Sequence, residues 1–275
     1  MKPDVTAVAY GVYANWGSRP QTPEDIAERF GRYLDTLAAI DPIFALWRVG
    51  LKKGRLYEKV RDNLVALVRD DISRDDEGEP CLIEGYGLVA SAREKRPGRN
   101  FGMSGKVGSA LDWPCGNRIW MDTFWGHWPD PAVIDYALFK AILLATVACW
   151  QPTVCAAYPN DLIPHHEQIG LFHESWILYV APDLAGTVRP LDVPVVEAAP
   201  DGGLILAATR EPFKVDNPVH LEAARQIGRA TAHLNVALGM GGRPPRELSE
   251  EESLPPDVLA RVREVRAAYF AAKKE

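Results

Sequence analysis

The sequence predicts an α+β fold: a largely antiparallel mixed sheet with flanking amphipathic helices. Three observations predict it. Between Ile83 and Trp125 short β-prone runs alternate with glycine-rich turns, the pattern of an antiparallel meander. Two well-signalled helix starts, at Thr22 and Asn217, lead into apolar residues at helical spacing. Between them, Ala132 to Cys149 is apolar nearly all round, with Asp135 and Lys140 its only charges, as in a helix covered on most sides.

Val5 to Ala14, rich in Val, Ala and Tyr, reads as a strand, and Asn15-Trp16-Gly17-Ser18 as the turn that follows. Thr22 can cap the next helix, Pro23 suits its first position, and Glu24 and Asp25 face the positive end of the dipole. Ile26, Phe30, Leu34 and Leu37 give that helix one apolar face, and Asp41-Pro42 ends it. A second amphipathic helix is predicted from Leu56 to Val68, then a polar loop from Asp70 to Pro80. Candidate strands follow at 85–92, 101–107 and 118–124, and after the apolar helix at 154–157 and 174–180. Residues 193–198 and 203–208 flank Pro200-Asp201-Gly202, a hairpin turn. Asn217 and Pro218 open a long helix to about Leu238, Gly239–Pro245 breaks it, and a last helix places Val258, Val262, Val265 and Tyr269 on one face. The predicted organisation is one domain over 1–245 with a helical extension over 246–275. Both halves show strand, turn and capped helix, which leaves two related lobes as one reading, although no repeat period supports it.

Composition narrows the function. The net charge of −6 is a poor match to nucleic-acid binding, which needs clustered Lys and Arg, and suits a partner with a basic surface. The four cysteines lack CxxC spacing and read as buried free thiols. Neither a signal peptide nor a spanning segment is visible, so a cytoplasmic protein without membrane contact is expected.

Chemistry-bearing patterns are weak. His165-His166-Glu167 and His173-Glu174 contain metal-ligand types, but the HExxH spacing is absent and Pro164 and Gly170 mark a loop. Gly85-Tyr86-Gly87-Leu88-Val89-Ala90 fits a dinucleotide fingerprint only formally, since no βαβ unit surrounds it. Gly102-Met103-Ser104-Gly105-Lys106 lacks the last glycine of a nucleophile elbow and the first glycine of a phosphate loop. No cofactor, metal or catalytic residue is assigned. Tryptophan is frequent, with Trp113, Trp120, Trp125 and Trp128 close together; any exposed one would be an interface anchor. Asp70, Asp71, Asp75, Asp76, Glu77 and Glu79 form the densest acidic cluster, with a second at Glu247, Glu250, Glu251 and Glu252. The first reads as a solvated loop or as a mimic of phosphates offered to a basic cleft.

Two motif blocks carry a resemblance. The first holds Trp16, Gly17, Arg19, Asp41, Pro42 and Trp47; the second holds Gly203, Thr209, Glu211-Pro212-Phe213 and Asn217-Pro218. In order and spacing, from about Val5 to Leu238, they resemble the immunity protein 52 family, bacterial antidotes encoded beside polymorphic toxins. The motif residues read as structural: Gly17 for a tight turn, Trp16 and Trp47 to pack the helix, Arg19 to tie the loop to a carboxylate, Asn217 and Pro218 to start a helix. The resemblance implies a non-enzymatic protein of interbacterial competition and type VI secretion. Its implied partner is a cognate toxin, commonly with a restriction-endonuclease-like domain, neutralised by stoichiometric occlusion. Asp70, Asp71, Asp75, Asp76, Glu77, Glu79, Trp125 and Trp128 are the candidate toxin-binding residues. The alternatives are a hydrolase using the histidines and nearby carboxylates, or a scaffold for a partner other than a toxin.

Overall fold

The computed structural model describes residues 7–50, 54–93, 98–123, 128–168 and 170–238. Trp125, the predicted break at Gly239–Pro245, the second acidic cluster and the predicted extension over 246–275 lie outside the described residues.

Among the described residues ten strands form a single sheet. They are β1 (Tyr10–Trp16), β2 (Trp47–Val49), β3 (Arg55–Leu56), β4 (Tyr86–Arg93), β5 (Asn100–Val107), β6 (Asn117–Thr123), β7 (Val154–Pro159), β8 (Ile177–Val180), β9 (Val195–Ala198) and β10 (Leu204–Ala207). Their order across the sheet is β3-β2-β4-β5-β6-β1-β7-β8-β10-β9. The fold is thus α+β as expected, and every pairing among the described strands is antiparallel rather than mixed. The β1–β7 pair, with Val12 opposite Ala157, joins the N-terminal six strands to the C-terminal four. One large apolar core runs from Val12 to Leu234 through both halves, with a small separate cluster at Ile83 and Ala110.

The helices are α1 (Pro23–Ile40), α2 (Tyr57–Val60), α3 (Leu64–Asp70), α4 (Tyr136–Trp150), α5 (Pro182–Ala185) and α6 (Pro218–Ala237). Thr22 caps α1 reciprocally with Asp25: the Asp25 amide donates to Thr22 Oγ1 at 3.1 Å and the Thr22 amide to Asp25 Oδ2 at 3.2 Å. α1 packs on α4, where the Tyr33 hydroxyl meets Thr146 Oγ1 at 2.8 Å. In β4 and β5 buried and half-buried residues alternate, as in strands covered on one face only. β7 and β8 are buried at every position, so both faces are covered there; α4 contacts β7, and α6 lies against β10.

Four expectations need correction. Asn15 and Trp16 extend β1 instead of turning, because both pair with β6. The helix expected over 56–68 is broken into α2, a 3-10 turn at Arg61–Asn63 and α3, where Asp62 and Asn63 are poor helix formers. The apolar helix begins at Tyr136, not Ala132, because Asp135 is its cap and accepts from the Leu138 amide at 2.9 Å. Of the cysteines, all free, Cys149 and Cys155 are buried but Cys81 and Cys115 only half-buried.

Candidate functional site

The acidic cluster is built into a formed turn. Ser73 and Asp71 hold it to the sheet: the Ser73 amide donates to Gly85 O at 2.9 Å and the Gly87 amide to Asp71 O at 2.8 Å. Asp75 is spent on the turn itself, since its Oδ1 accepts from the Glu79 amide at 2.7 Å and its amide donates to Glu79 O at 3.0 Å. Gly78 takes φ +86°, and the Arg74 guanidinium donates to its carbonyl at 2.7 Å. Asp76, Glu77 and Glu79 remain exposed around this turn, while Asp70 and Asp71 sit at the end of α3. The six acids therefore divide into an exposed tip, one structural aspartate and a helix terminus.

Among the described tryptophans, Trp16, Trp47, Trp150 and Trp176 are buried and Trp113 and Trp120 half-buried. Trp128 is 56% exposed and lines a groove at one end of the sheet. Sequence reasoning could not separate it from its neighbours, because all four share a polar, glycine-rich setting.

The histidines make a packed stack. The His166 and His173 rings lie 4.1 Å apart at 26°, and both meet the Tyr158 ring edge-on. Tyr158 in turn stacks on Tyr13 at 4.5 Å. Burial, then the neighbouring His173, holds His166 down at about 4, and burial also lowers His173. Both rings are thus neutral near pH 7. His165 is exposed, and Glu167 pairs with Arg225 at 2.8 Å. Among the described residues no three His, Cys, Asp or Glu side chains could together hold a metal ion. Ser104 lies within β5 and Lys106 pairs with Glu84, so neither belongs to a nucleophile or phosphate loop. Gly85 sits just before β4 with φ +76°, where a Cβ would meet Val107 O at 2.3 Å; it serves a turn.

The motif residues take up structural positions. Trp16 stacks on Trp150 with centroids 6.0 Å apart, and the Arg19 guanidinium lies over Trp16 at 4.9 Å. Arg19 does not reach a carboxylate as expected. It donates to Trp150 O at 2.5 Å and Gln151 O at 2.8 Å, the open carbonyls at the end of α4. Gly17 is also not what the turn requires: a Cβ there would meet only Trp113 O, at 3.9 Å. Asp41 caps a 3-10 turn at Pro42–Phe44 through the Ile43 amide at 2.8 Å, and Trp47 stacks on Phe44 at 5.7 Å in the core that also holds the apolar face of α1. Gly203 precedes β10 where a Cβ would strike the Tyr179 ring at 2.5 Å. Phe213 is fully buried, and Asn217 accepts from the Val219 amide at 3.0 Å ahead of Pro218, the first residue of α6.

The second motif block, with its strand opened at Gly203 and its helix started at Asn217-Pro218, lies inside the region that a family comparison matches. The chain matches the immunity protein 52 family over residues 104–237. The immunity protein 52 match runs from within β5 to the last residue of α6 and includes Trp128, Gly203, Phe213, Asn217 and Pro218. The first motif block and the acidic turn precede it, although Trp16 and Trp47 belong to the same core. No curated protein matches the chain. A solved Pseudomonas aeruginosa T6SS protein, PA0821, is similar at 11% identity and a TM-score of 0.45, covering 94% of this chain and 81% of that one. That likeness is too distant to bear on function. No helix among the described residues is long and apolar enough to cross a membrane.

Proposed function

We propose that this chain is an immunity protein that binds and neutralises a cognate toxin in the cytoplasm, one to one and without turnover. The observation that carries the reading is the immunity protein 52 match over residues 104–237. The toxin we propose is a nuclease-type effector with a restriction-endonuclease-like domain, delivered in competition between bacteria through type VI secretion. The exposed Asp76, Glu77 and Glu79 support a basic partner surface, since complementary fields speed encounter and fix orientation. Occlusion of a toxin calls for an interface of about 1,200–2,000 Å² or more, well beyond one turn. A hydrolase reading draws no support from His166 and His173, whose rings are occupied in packing, with His165 exposed outside their stack.

The test is co-expression with the toxin domain encoded beside the gene. Rescue of growth together with co-purification of a stable complex is the expected result. Growth arrest that the chain does not relieve, with no complex recovered, removes the proposal.

A further inference from the structure

A groove of about 610 Å³ opens near the start of β1 and the end of β7. Three segments build it: residues 128–134, the turn carrying Asp161, and residues 212–216. Its walls are largely apolar, with Trp128, Pro129, Pro131, Ile134 and Val215 among them.

These walls are fixed before any partner arrives. Proline rings lock the backbone at 129, 131 and 212. Asp130 Oδ1 accepts from the Ala132 amide at 3.1 Å, and the Asp130 amide donates to Gly98 O at 3.1 Å. On the facing wall the Tyr10 hydroxyl donates to Phe213 O at 2.7 Å. A surface ordered in this way gives up little conformational entropy on binding.

The groove also has a charged end. Asp161, Asp216 and Lys214 line it together. Both aspartates act on Tyr10, whose phenol is pushed up to about 12 by burial first, then by Asp161 and Asp216. Partial burial raises the Asp161 carboxyl against its backbone hydrogen bond and the nearby His165, which lower it, and Asp216 adds a smaller rise. His165 is the nearby basic group that acts on Asp161. Asp161, Asp216 and Lys214 are exposed at the groove's mouth, so among the described lining residues two negative charges face one positive, an imbalance that a guanidinium or ammonium from outside complements.

We propose that this groove docks a basic–apolar segment of the toxin. An apolar side chain of that segment lies against Trp128 and the proline walls, and a neighbouring Arg or Lys lies between Asp161 and Asp216. The proposal rests on the immunity reading and gives it a contact surface distinct from the acidic turn. A two-fold contact centred on the groove would bring the same carboxylates toward each other, which disfavours a second copy of this chain in that arrangement.

The test is titration of the toxin domain encoded beside the gene against the full chain and three variants. The variants are Trp128→Ala, the double variant Asp161→Asn/Asp216→Asn, and Leu191→Ala, which alters an 89% exposed side chain outside the groove. Trp128→Ala is expected to weaken binding about tenfold or more. The double variant is expected to weaken it severalfold and to flatten its dependence on salt. Leu191→Ala should bind as the unaltered chain does, and all variants should keep the same thermal midpoint.

Unaltered affinity in both groove variants overturns the groove while leaving immunity intact. Absence of binding by the unaltered chain removes the immunity reading, and the groove assignment falls with it. A dimer of the chain alone that Trp128→Ala dissociates gives the groove to a second copy and also overturns the proposal.

Discussion

Two guanidiniums close the end of α4. Arg19 takes the carbonyls of Trp150 and Gln151, and Arg29 donates to Cys149 O at 3.0 Å. Burial, then Arg29, lowers the Arg19 guanidinium to about 10, so it stays charged at neutral pH. Arg19→Ala would strip two charge-assisted hydrogen bonds and the cation over Trp16. It should cost about 2–3 kcal/mol in urea unfolding. Arg19→Lys, a point charge without the planar fork, should recover only part of that. The histidine stack makes a second prediction. His166 is held near 4 when folded and returns toward 6.5 when unfolded, so below pH 6.5 the unfolded chain takes up the proton first. The stack's contribution is therefore complete above about 6.5 and is lost as pH falls toward 4. Replacing both rings, as His166→Leu/His173→Leu, should flatten that slope when urea midpoints are compared between pH 7 and pH 4.5. An unchanged slope would contradict the role given to the stack.

At the scale of elements, what could be read from the sequence was what is local. Thr22-Pro23-Glu24-Asp25 and Asn217-Pro218 place helix starts correctly because a cap needs only its next few residues. The meander strands were legible for the same reason, as short runs between glycines. Asp135 was misread as a charge within a helix because a cap and a surface acid look alike until the backbone is known. β2 and β3, of three and two residues, carry no period of their own and exist through pairing with β4 and with each other. Two glycines separate conformation from crowding. Gly78 and Gly85 both take positive φ, yet a Cβ at Gly78 meets nothing within 4 Å, whereas at Gly85 it strikes Val107 O. Gly78→Ala should cost only roughly 1–2 kcal/mol, the left-handed strain alone. Gly85→Ala should cost clearly more, about 3 kcal/mol or above, because backbone must also move. Chemical denaturation of the two variants gives the comparison directly.

For the whole molecule, strand order was not legible, because it is set by contacts far apart in the chain. Tyr10 opposite Pro159 and Trp47 opposite Ala92 are examples. The candidate site was legible only in part. The acidic run was visible as charge, but that Asp75 holds the turn and that Trp128 stands exposed depend on tertiary packing. The motif blocks pointed to a family yet not to a surface, because their residues are caps, stacks and strand openings. The large core crosses the β1–β7 pair, so the two halves are expected to unfold as one cooperative unit. Unfolding followed by tryptophan fluorescence and by far-ultraviolet dichroism should give coincident transitions. Two separated transitions would make the halves independent lobes.

The central claim is neutralisation by stoichiometric occlusion, and the most direct measurement is an inhibition titration of the purified toxin domain by the purified chain. With the toxin well above the dissociation constant, activity should fall linearly and reach zero at one equivalent, with no change on longer incubation. Loss of activity that deepens with time at a small fraction of an equivalent would mean turnover, and full activity beyond several equivalents would mean no immunity; either result contradicts the account.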